Sequence, residues 1–160
     1  MTPAITVGVD PGRTGAVAAL DAPGNLIWVE DMPSLTGVAI GSWLHDRLCN
    51  EHVDVAWVEQ VHAMPKQGVS SVWTFAEGYG AILGALGALH IPVRFVTPAA
   101  WKRTAGLSSD KAASRQRATE TWPDQSALFA RAKDDGRAEA ALIAQHGRNQ
   151  LATATPGGNQ

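Results

Sequence analysis

The stretch Ile5-Thr6-Val7-Gly8-Val9-Asp10 sets the start of the fold, because it is rich in β-branched residues and ends at the turn residues Pro11-Gly12. Two further runs of strand-forming residues follow at 15–20 and 26–30, separated by the turn Pro23-Gly24-Asn25. Two hairpins in succession predict a three-stranded antiparallel meander.

The rest of the chain alternates predicted helices with two more strands. Residues 53–58 are almost wholly apolar, which is typical of a strand buried on both faces, and residues 92–96 form another strand. The predicted helices cover residues 34–50, 72–89, 99–105, 110–121 and 134–145, with a loop at 64–71. This order predicts an α/β fold with a mixed five-stranded sheet and helices on both faces. The right-handed crossover rule places the strand at 53–58 beside the first strand.

The composition fits one folded domain, because 45% of the 160 residues are apolar. We expect this domain to occupy residues 1–150 and residues 151–160 to form a disordered tail. The net charge of −2 argues neither for nor against a nucleic-acid partner, since the distribution of charge matters more than its total. The single cysteine, Cys49, excludes an intramolecular disulfide and is expected to be partly buried. With no signal peptide or membrane-spanning run in the sequence, we expect a soluble cytoplasmic protein.

Asp10, at the end of the first predicted strand, has three possible roles. Aspartate favours the start of a turn. The sequence from Asp10 to Gly15 also matches the Asp-x-Gly-x-Thr-Gly hairpin with which actin-like ATPases and sugar kinases bind phosphate. The third role is that of a metal ligand, and the motif alone does not choose among them.

Glu59 follows the apolar strand at 53–58 and is harder to explain as a structural residue. An ionised carboxylate buried at a strand end costs several kcal/mol unless it is paired. The nearest basic residue in the sequence is Lys66, in the following loop. If the first strand and this one are neighbours, Glu59 faces Asp10, and a divalent cation is the natural means of holding both carboxylates ionised.

Three more carboxylates, Asp134, Asp135 and Glu139, open the last predicted helix. The four-residue spacing places Asp135 and Glu139 on one helix face. Helix N-capping is a competing explanation for Asp134 or Asp135. It does not extend to Glu139, because a capping box would need a side chain at Gly136.

The candidate site therefore combines carboxylates from two strand ends and one helix face: Asp10, Glu59, Asp134, Asp135 and Glu139. Hard oxygen ligands without His or Cys clusters suit Mg²⁺, or Mn²⁺ in its place, rather than zinc. Two such ions per site are the standard apparatus for in-line phosphodiester hydrolysis. The sequence thus predicts a metal-dependent site acting on a phosphodiester.

Three blocks carry a family resemblance: residues 7–12 (VGVDPG), 58–61 (VEQV) and 138–144 (AEAALIA). In order and spacing they resemble the motifs of RuvC-type Holliday-junction resolvases of the RNase H-like superfamily, over residues 5–145. The resemblance implies an RNase H-like fold and a homodimer that nicks four-way DNA junctions symmetrically with Mg²⁺. It also implies that Asp10, Glu59 and Glu139 are catalytic carboxylates. The short, near-neutral chain suits a phage-encoded relative, acting in the cytoplasm of a bacterial or phage-infected host cell.

The chain departs from the family pattern at two positions. The family has a fourth ligand three residues before the last carboxylate, where this chain has Gly136. We therefore expect Asp135 to serve as the fourth catalytic carboxylate, with Asp134 as the alternative. Where the family often has an aromatic wedge, this chain has His62, which could stack on a base or line the loop.

Basic residues near the predicted strand ends are candidates for DNA contact. Lys102 and Lys111 match positions at which the family has DNA-binding lysines, although a solvated helix face is the alternative. The full predicted DNA-binding set is Arg13, His62, Lys66, Lys102 and Lys111. On the helix at 72–89, we expect the surplus apolar residues Trp73, Phe75, Tyr79 and Ile82 to form a dimer surface.

Three other functions compete with junction resolution. The first is an RNase H-like RNA-processing nuclease of the YqgF type. The second is an actin-like phosphate-binding ATPase fragment, although such enzymes need two domains of this kind and a second phosphate loop. The third is a binding-only junction protein, against which the set of carboxylates argues.

Overall fold

The structure is a computed structural model that describes residues 4–33, 36–62, 66–108 and 110–154. Its sheet has five strands: β1 (Ile5–Asp10), β2 (Ala16–Asp21), β3 (Leu26–Asp31), β4 (Val53–Glu59) and β5 (Val93–Val96). Their order across the sheet is β3-β2-β1-β4-β5. Pairing is antiparallel within the β1–β3 meander and parallel from β1 to β4 and from β4 to β5. The predicted mixed five-stranded sheet, with the strand at 53–58 beside the first, is confirmed.

Helices cover both faces of the sheet, as predicted. They are α1 (Gly37–Leu48), α2 (Val69–Ala88), α3 (Pro98–Thr104), α4 (Lys111–Thr121) and α5 (Asp135–Ala154). Two 3-10 segments that the sequence did not predict, Pro123–Phe129 and Ala132–Asp134, connect α4 to α5. Residues 34 and 35 of the first predicted helix, and residues 64 and 65 of the predicted loop, lie outside the described part of the chain.

The core is divided into two layers by the alternation of side chains along each strand. Val7 and Val9 of β1 point to one face, where they pack with α1 and α2 through residues such as Leu44 and Leu86. The opposite face carries α3, α4 and α5 and is packed by residues such as Trp101. Because Asp10 and Glu59 are in phase with residues of this second face, the alternation aims both carboxylates toward α3 and α5.

The last helix is longer than predicted. It was expected to end before Gly147, but α5 continues through Ala154. A Cβ atom at position 147 would collide with the indole ring of Trp57, so Gly147 serves close packing of α5 against β4 rather than helix termination. Residues 151–154 of the predicted tail are helical, and residues 155–160 lie outside the described part.

Two predictions of burial were wrong. Cys49 is exposed at the C-terminal end of α1, where its thiol donates to the Asp46 carbonyl at 3.6 Å. Ile82 is only 1% exposed and belongs to the core against the sheet, so it does not contribute to an exposed face of α2.

Within the part of the chain that the structure describes, no helix is both long and apolar enough to span a bilayer.

Candidate active site

Asp10 and Glu59 lie at the same end of two neighbouring parallel strands. The register pairs Val9 of β1 with Val58 of β4, and the two carboxylate residues follow directly. Asp10 is half-buried and Glu59 is 8% exposed. The predicted juxtaposition of the two strand ends is therefore present, and a buried carboxylate occupies one of them.

The turn after Asp10 is tight and built from glycines. The Gly12 amide donates to Asp10 Oδ1 at 3.4 Å, and the Gly15 amide donates to the Gly12 carbonyl at 2.8 Å. A Cβ at position 15 would collide with the Asp10 carbonyl oxygen, so the turn requires glycine there. Asp10 thus has the turn-forming role that its position suggested, and this contact is compatible with a ligand role as well.

Helix α5 crosses directly over β1 because glycines let the two backbones approach each other. A Cβ on Gly8 would collide with the backbone of α5 at Ala140 and Ala144. At the helix start, a Cβ on Gly136 would collide with the Thr14 carbonyl and lie 3.0 Å from the Cα of Gly15. No side chain fits at position 136, so the backbone contact itself requires the glycine at the position where the resemblance implied a ligand. Glu139 lies between these two contact points.

Helix α3 contacts carboxylates from two different elements. The indole Nε1 of Trp101, which is fully buried, donates to Glu59 Oε1 at 2.8 Å. The next residue, Lys102, places its Nζ 4.0 Å from Glu139 Oε1 and 5.3 Å from the centroid of the Trp101 ring. Two adjacent residues of α3 therefore connect the end of β4 to the first turns of α5.

The two aspartates at the start of α5 have different environments. Asp134 is 1% exposed and accepts hydrogen bonds on both oxygens from the backbone and side chain of Arg131. Burial by itself would raise the pKa of the Asp134 carboxyl, but these bonds outweigh it and hold that pKa below its usual range. Asp135 is more exposed and pairs through Oδ1 with Nε of Arg115 at 2.7 Å. Asp134 thus closes a capping box with Arg131 around the 3-10 segment Ala132–Asp134, and Asp135 pairs with a residue of α4.

The carboxylates of the candidate site do not form a metal-binding cluster in the described part of the chain. Within the described ranges, no three His, Cys, Asp or Glu side chains are grouped closely enough to hold a metal ion. The donor set is nevertheless made of the hard oxygen ligands that Mg²⁺ and Mn²⁺ prefer. The salt bridges to Lys102 and Arg115 engage oxygens of Glu139 and Asp135 that ligation would need.

The predicted DNA-binding residues lie in four places. Arg13 is exposed in the β1–β2 turn beside Asp10, and His62 and Lys66 are exposed after β4, on either side of residues 63–65, which lie outside the described part. Lys102 lies in the candidate site, with its Nζ 4.0 Å from Glu139 Oε1. Lys111 begins α4, next to the capping residue Asp110, and its side chain is outside the described part.

Sequence reasoning missed two contributors, Trp101 and Arg115. Both are separated from their partners by long stretches of chain, 42 residues for the Trp101–Glu59 bond and 20 for the Arg115–Asp135 bond. The sequence did contain a signal for Trp101, because this residue directly precedes Lys102, which was predicted to bind DNA. No local pattern marks Arg115 as the partner of Asp135.

The sheet order, with paired carboxylates at the ends of β1 and β4 and a helix packed across β1, defines the RNase H-like class of α/β folds.

No protein-family model and no curated protein matches the chain. Its structural neighbours are RuvC structures. Thermus thermophilus RuvC in complex with a Holliday junction substrate is similar with a TM-score of 0.69 and 17% identity, over 94% of this chain and 97% of that one. A second Thermus thermophilus RuvC structure gives a TM-score of 0.63 and 16% identity, over 95% of this chain and 99% of that one. The predicted RNase H-like fold and the resemblance to RuvC are confirmed.

Proposed function

We propose that this chain is a metal-dependent endonuclease that resolves four-way DNA junctions. The observation that carries the proposal is the position of Asp10 and Glu59 at the same end of two paired strands, with helix α3 linking this end to α5: its Trp101 bonds Glu59, and its Lys102 lies 4.0 Å from Glu139. Carboxylates next to a lysine suit a phosphodiester substrate, because bound metal ions and the lysine together would offset the charge of the phosphate. One of the RuvC neighbours described above is bound to a Holliday junction substrate, which supports branched DNA as the substrate class.

Asp10, Glu59 and Glu139 would hold the metal ions, with Asp135 as the fourth ligand. Asp135 is favoured over Asp134 because Arg131 already satisfies both oxygens of Asp134 in a buried setting. When bound, two Mg²⁺ or Mn²⁺ ions supply an activated water and stabilise the leaving 3′ oxygen. Bound ions would compete with Lys102 and Arg115 for these carboxylates, and the phosphate oxygens of DNA are alternative partners for both cations.

Exposed polar side chains that follow the two strands would extend this site toward the DNA backbone. Arg13 follows Asp10 by three residues, His62 follows Glu59 by three, and Lys66 comes further along the chain, and all three are exposed. Backbone contacts of this kind position a nucleic acid without reading its sequence, which fits a substrate defined by its branch point. His62 is exposed, so its ring is accessible for stacking on a base.

Symmetric nicking requires two active sites, so we further propose a two-fold homodimer formed through α2. Two apolar residues of this helix, Val69 and Trp73, are 86% and 74% exposed. Phe75 and Tyr79 lie beside each other on it, with stacked rings 5.9 Å apart. Exposed apolar side chains on a regular helix would be buried by such an interface between subunits.

The experiment compares a synthetic four-way junction with a linear duplex and an RNA–DNA hybrid, each with Mg²⁺ and with chelator. We expect paired nicks in the junction alone, and only with the metal. The variants Asp10→Asn, Glu59→Gln and Glu139→Gln should each lose more than about 100-fold in nicking, since even the loss of a ligand's hydrogen-bond partner costs a metal site about 10- to 100-fold. Junction binding should persist in all three. Cleavage of the hybrid in preference to the junction would instead favour an RNA-processing nuclease, and full nicking by Glu59→Gln would overturn the metal assignment.

A further inference from the structure

We propose that Trp101 is a positioning residue that fixes the Glu59 carboxylate for metal binding. This inference rests on the proposed function, because it assigns a role within the same site. Its basis is the buried hydrogen bond from the Trp101 indole to Glu59 Oε1, 2.8 Å long. Neither residue can turn freely, since Trp101 is fully buried and Glu59 is 8% exposed.

The indole is a suitable partner because it is only a donor and carries no charge. A lysine or arginine at this position would also orient the carboxylate, but its positive charge would compete with a divalent cation for the same oxygens. Trp101 fixes one oxygen of Glu59 and leaves the charge of the carboxylate undiminished. The bond therefore orients a ligand without opposing the ion that the ligand is to bind.

The position of Trp101 is itself held at both ends of α3. Strand β5 pairs its last residue, Val96, with Glu59, and α3 follows after Thr97, whose side chain accepts from the Ala100 amide at 3.3 Å. At the other end, the Thr104 hydroxyl lies 2.9 Å from Nδ1 of the buried His146 on α5. Because α3 is short and anchored to both β4 and α5, the indole is presented to Glu59 by a rigid frame.

Metal affinity in the absence of DNA tests this role directly. The variant Trp101→Phe keeps an aromatic ring and removes the N–H donor. Titration calorimetry with Mn²⁺ should show about tenfold weaker binding, the lower bound for loss of a hydrogen-bond partner of a metal ligand. The matched control is Trp122→Phe, because Trp122 is also buried and donates its indole N–H to the Gly24 carbonyl at 3.1 Å, away from the site. This control should bind Mn²⁺ like the unmodified protein.

A second measurement leaves Trp101 intact and so does not depend on whether the variant folds. In protein labelled with ¹⁵N-tryptophan, the Trp101 indole resonance should shift on addition of Mg²⁺ and on the change Glu59→Gln. The Trp122 resonance should not respond to either. The response to Glu59→Gln identifies the resonance that is bonded to Glu59, and a purely structural tryptophan would be insensitive to Mg²⁺.

The possible failures are distinguishable. If the unmodified protein neither binds metal nor nicks junctions, both this inference and the proposed function are overturned. If it does both, but Trp101→Phe binds Mn²⁺ equally well and the Trp101 resonance ignores Mg²⁺, the nuclease stands and the positioning role is overturned. Weaker Mn²⁺ binding by Trp101→Phe, together with a Trp101 resonance that follows Mg²⁺, supports the role.

Discussion

Arg115 on α4 and Asp135 at the start of α5 form an ion pair in which Nε lies 2.7 Å from Oδ1. The pair joins two elements on the same face of the sheet and engages the carboxylate that we expect to be the fourth metal ligand. Asp134 has a corresponding partner in Arg131, with 2.8 Å between Arg131 Nη2 and Asp134 Oδ1. The two arginines therefore offer a way to separate the functional aspartate from the structural one.

We expect Arg115→Ala to strengthen Mn²⁺ binding several-fold, because it removes a cation that competes for Asp135. Junction affinity should fall at the same time, since Arg115 would otherwise pair with a phosphate. Calorimetry with Mn²⁺ and a junction-binding assay provide the two measurements.

The matched control is Arg131→Ala, which leaves the buried Asp134 without its main partner. We expect it to lower the free energy of unfolding, because the Asp134 carboxylate stays buried without its partner, while leaving Mn²⁺ affinity unchanged. The reverse pattern, with stronger metal binding in the Arg131 variant only, would assign Asp134 as the ligand instead.

Lys102→Ala and Lys111→Ala should weaken DNA binding and reduce the slope of log affinity against log salt by about 0.9 each, the equivalent of one phosphate contact. The control is Arg148→Ala, because Arg148 bonds the Ala22 carbonyl near the β2–β3 turn, at the opposite end of the sheet. Fluorescence anisotropy over a range of salt concentrations measures the slopes. Unchanged slopes in both lysine variants would mean that these side chains are merely solvated.

The close approach of α5 to the β1–β2 turn makes position 136 intolerant of any side chain. Gly136→Ala should cost about 2 kcal/mol or more in the free energy of unfolding, because the added methyl meets the backbone of Thr14 and Gly15. Gly80→Ala, on α2 with nothing within 4 Å of its added methyl, should instead stabilise the protein by about 0.5–1 kcal/mol. Urea denaturation compares them, and equal stabilities would contradict the packing described at the start of α5.

His146 makes stability depend on pH, because burial lowers its pKa below the ordinary value of 6.5. As pH falls through 6.5, the unfolded chain takes up a proton that the folded protein does not bind. Stability is therefore lost on acidification, by at most about 1.4 kcal/mol per pH unit for one group. His146→Gln should flatten the curve of unfolding free energy between about pH 7.5 and 5, and parallel curves for the two proteins would exclude this histidine as the cause.

Sedimentation tests the proposed dimer. At micromolar concentration the protein should have about twice the 16.8 kDa mass of one chain. Trp73→Glu should reduce this to the mass of one chain, because it places a charge among the exposed apolar residues of α2. Phe95→Glu is the control, since Phe95 is half-exposed on the edge strand β5, away from α2. A monomer that still makes paired nicks would contradict the requirement for two chains.

Much of the fold could be predicted because each strand carries its own local signals. The β-branched run ending at Asp10 and the apolar run ending at Glu59 were both read correctly, and the crossover rule made them neighbours. The end of α5 was predicted wrongly at Gly147, because a glycine that packs against Trp57 looks in sequence like one that ends a helix. Local patterns do not separate these two uses of glycine.

The sequence by itself determined the five strands, the place of the fourth strand beside the first, and the carboxylates at the strand ends, since hydrophobic periodicity and turn chemistry are local properties of the chain. Only the tertiary structure decided the partners of those carboxylates. The bond from Trp101 to Glu59 and the pair between Arg115 and Asp135 depend on how α3 and α4 dock, which is set by long-range packing. The same packing gave Asp134 and Asp135 different environments, because Asp134 is buried and bonded to Arg131, while Asp135 is partly exposed and paired with Arg115.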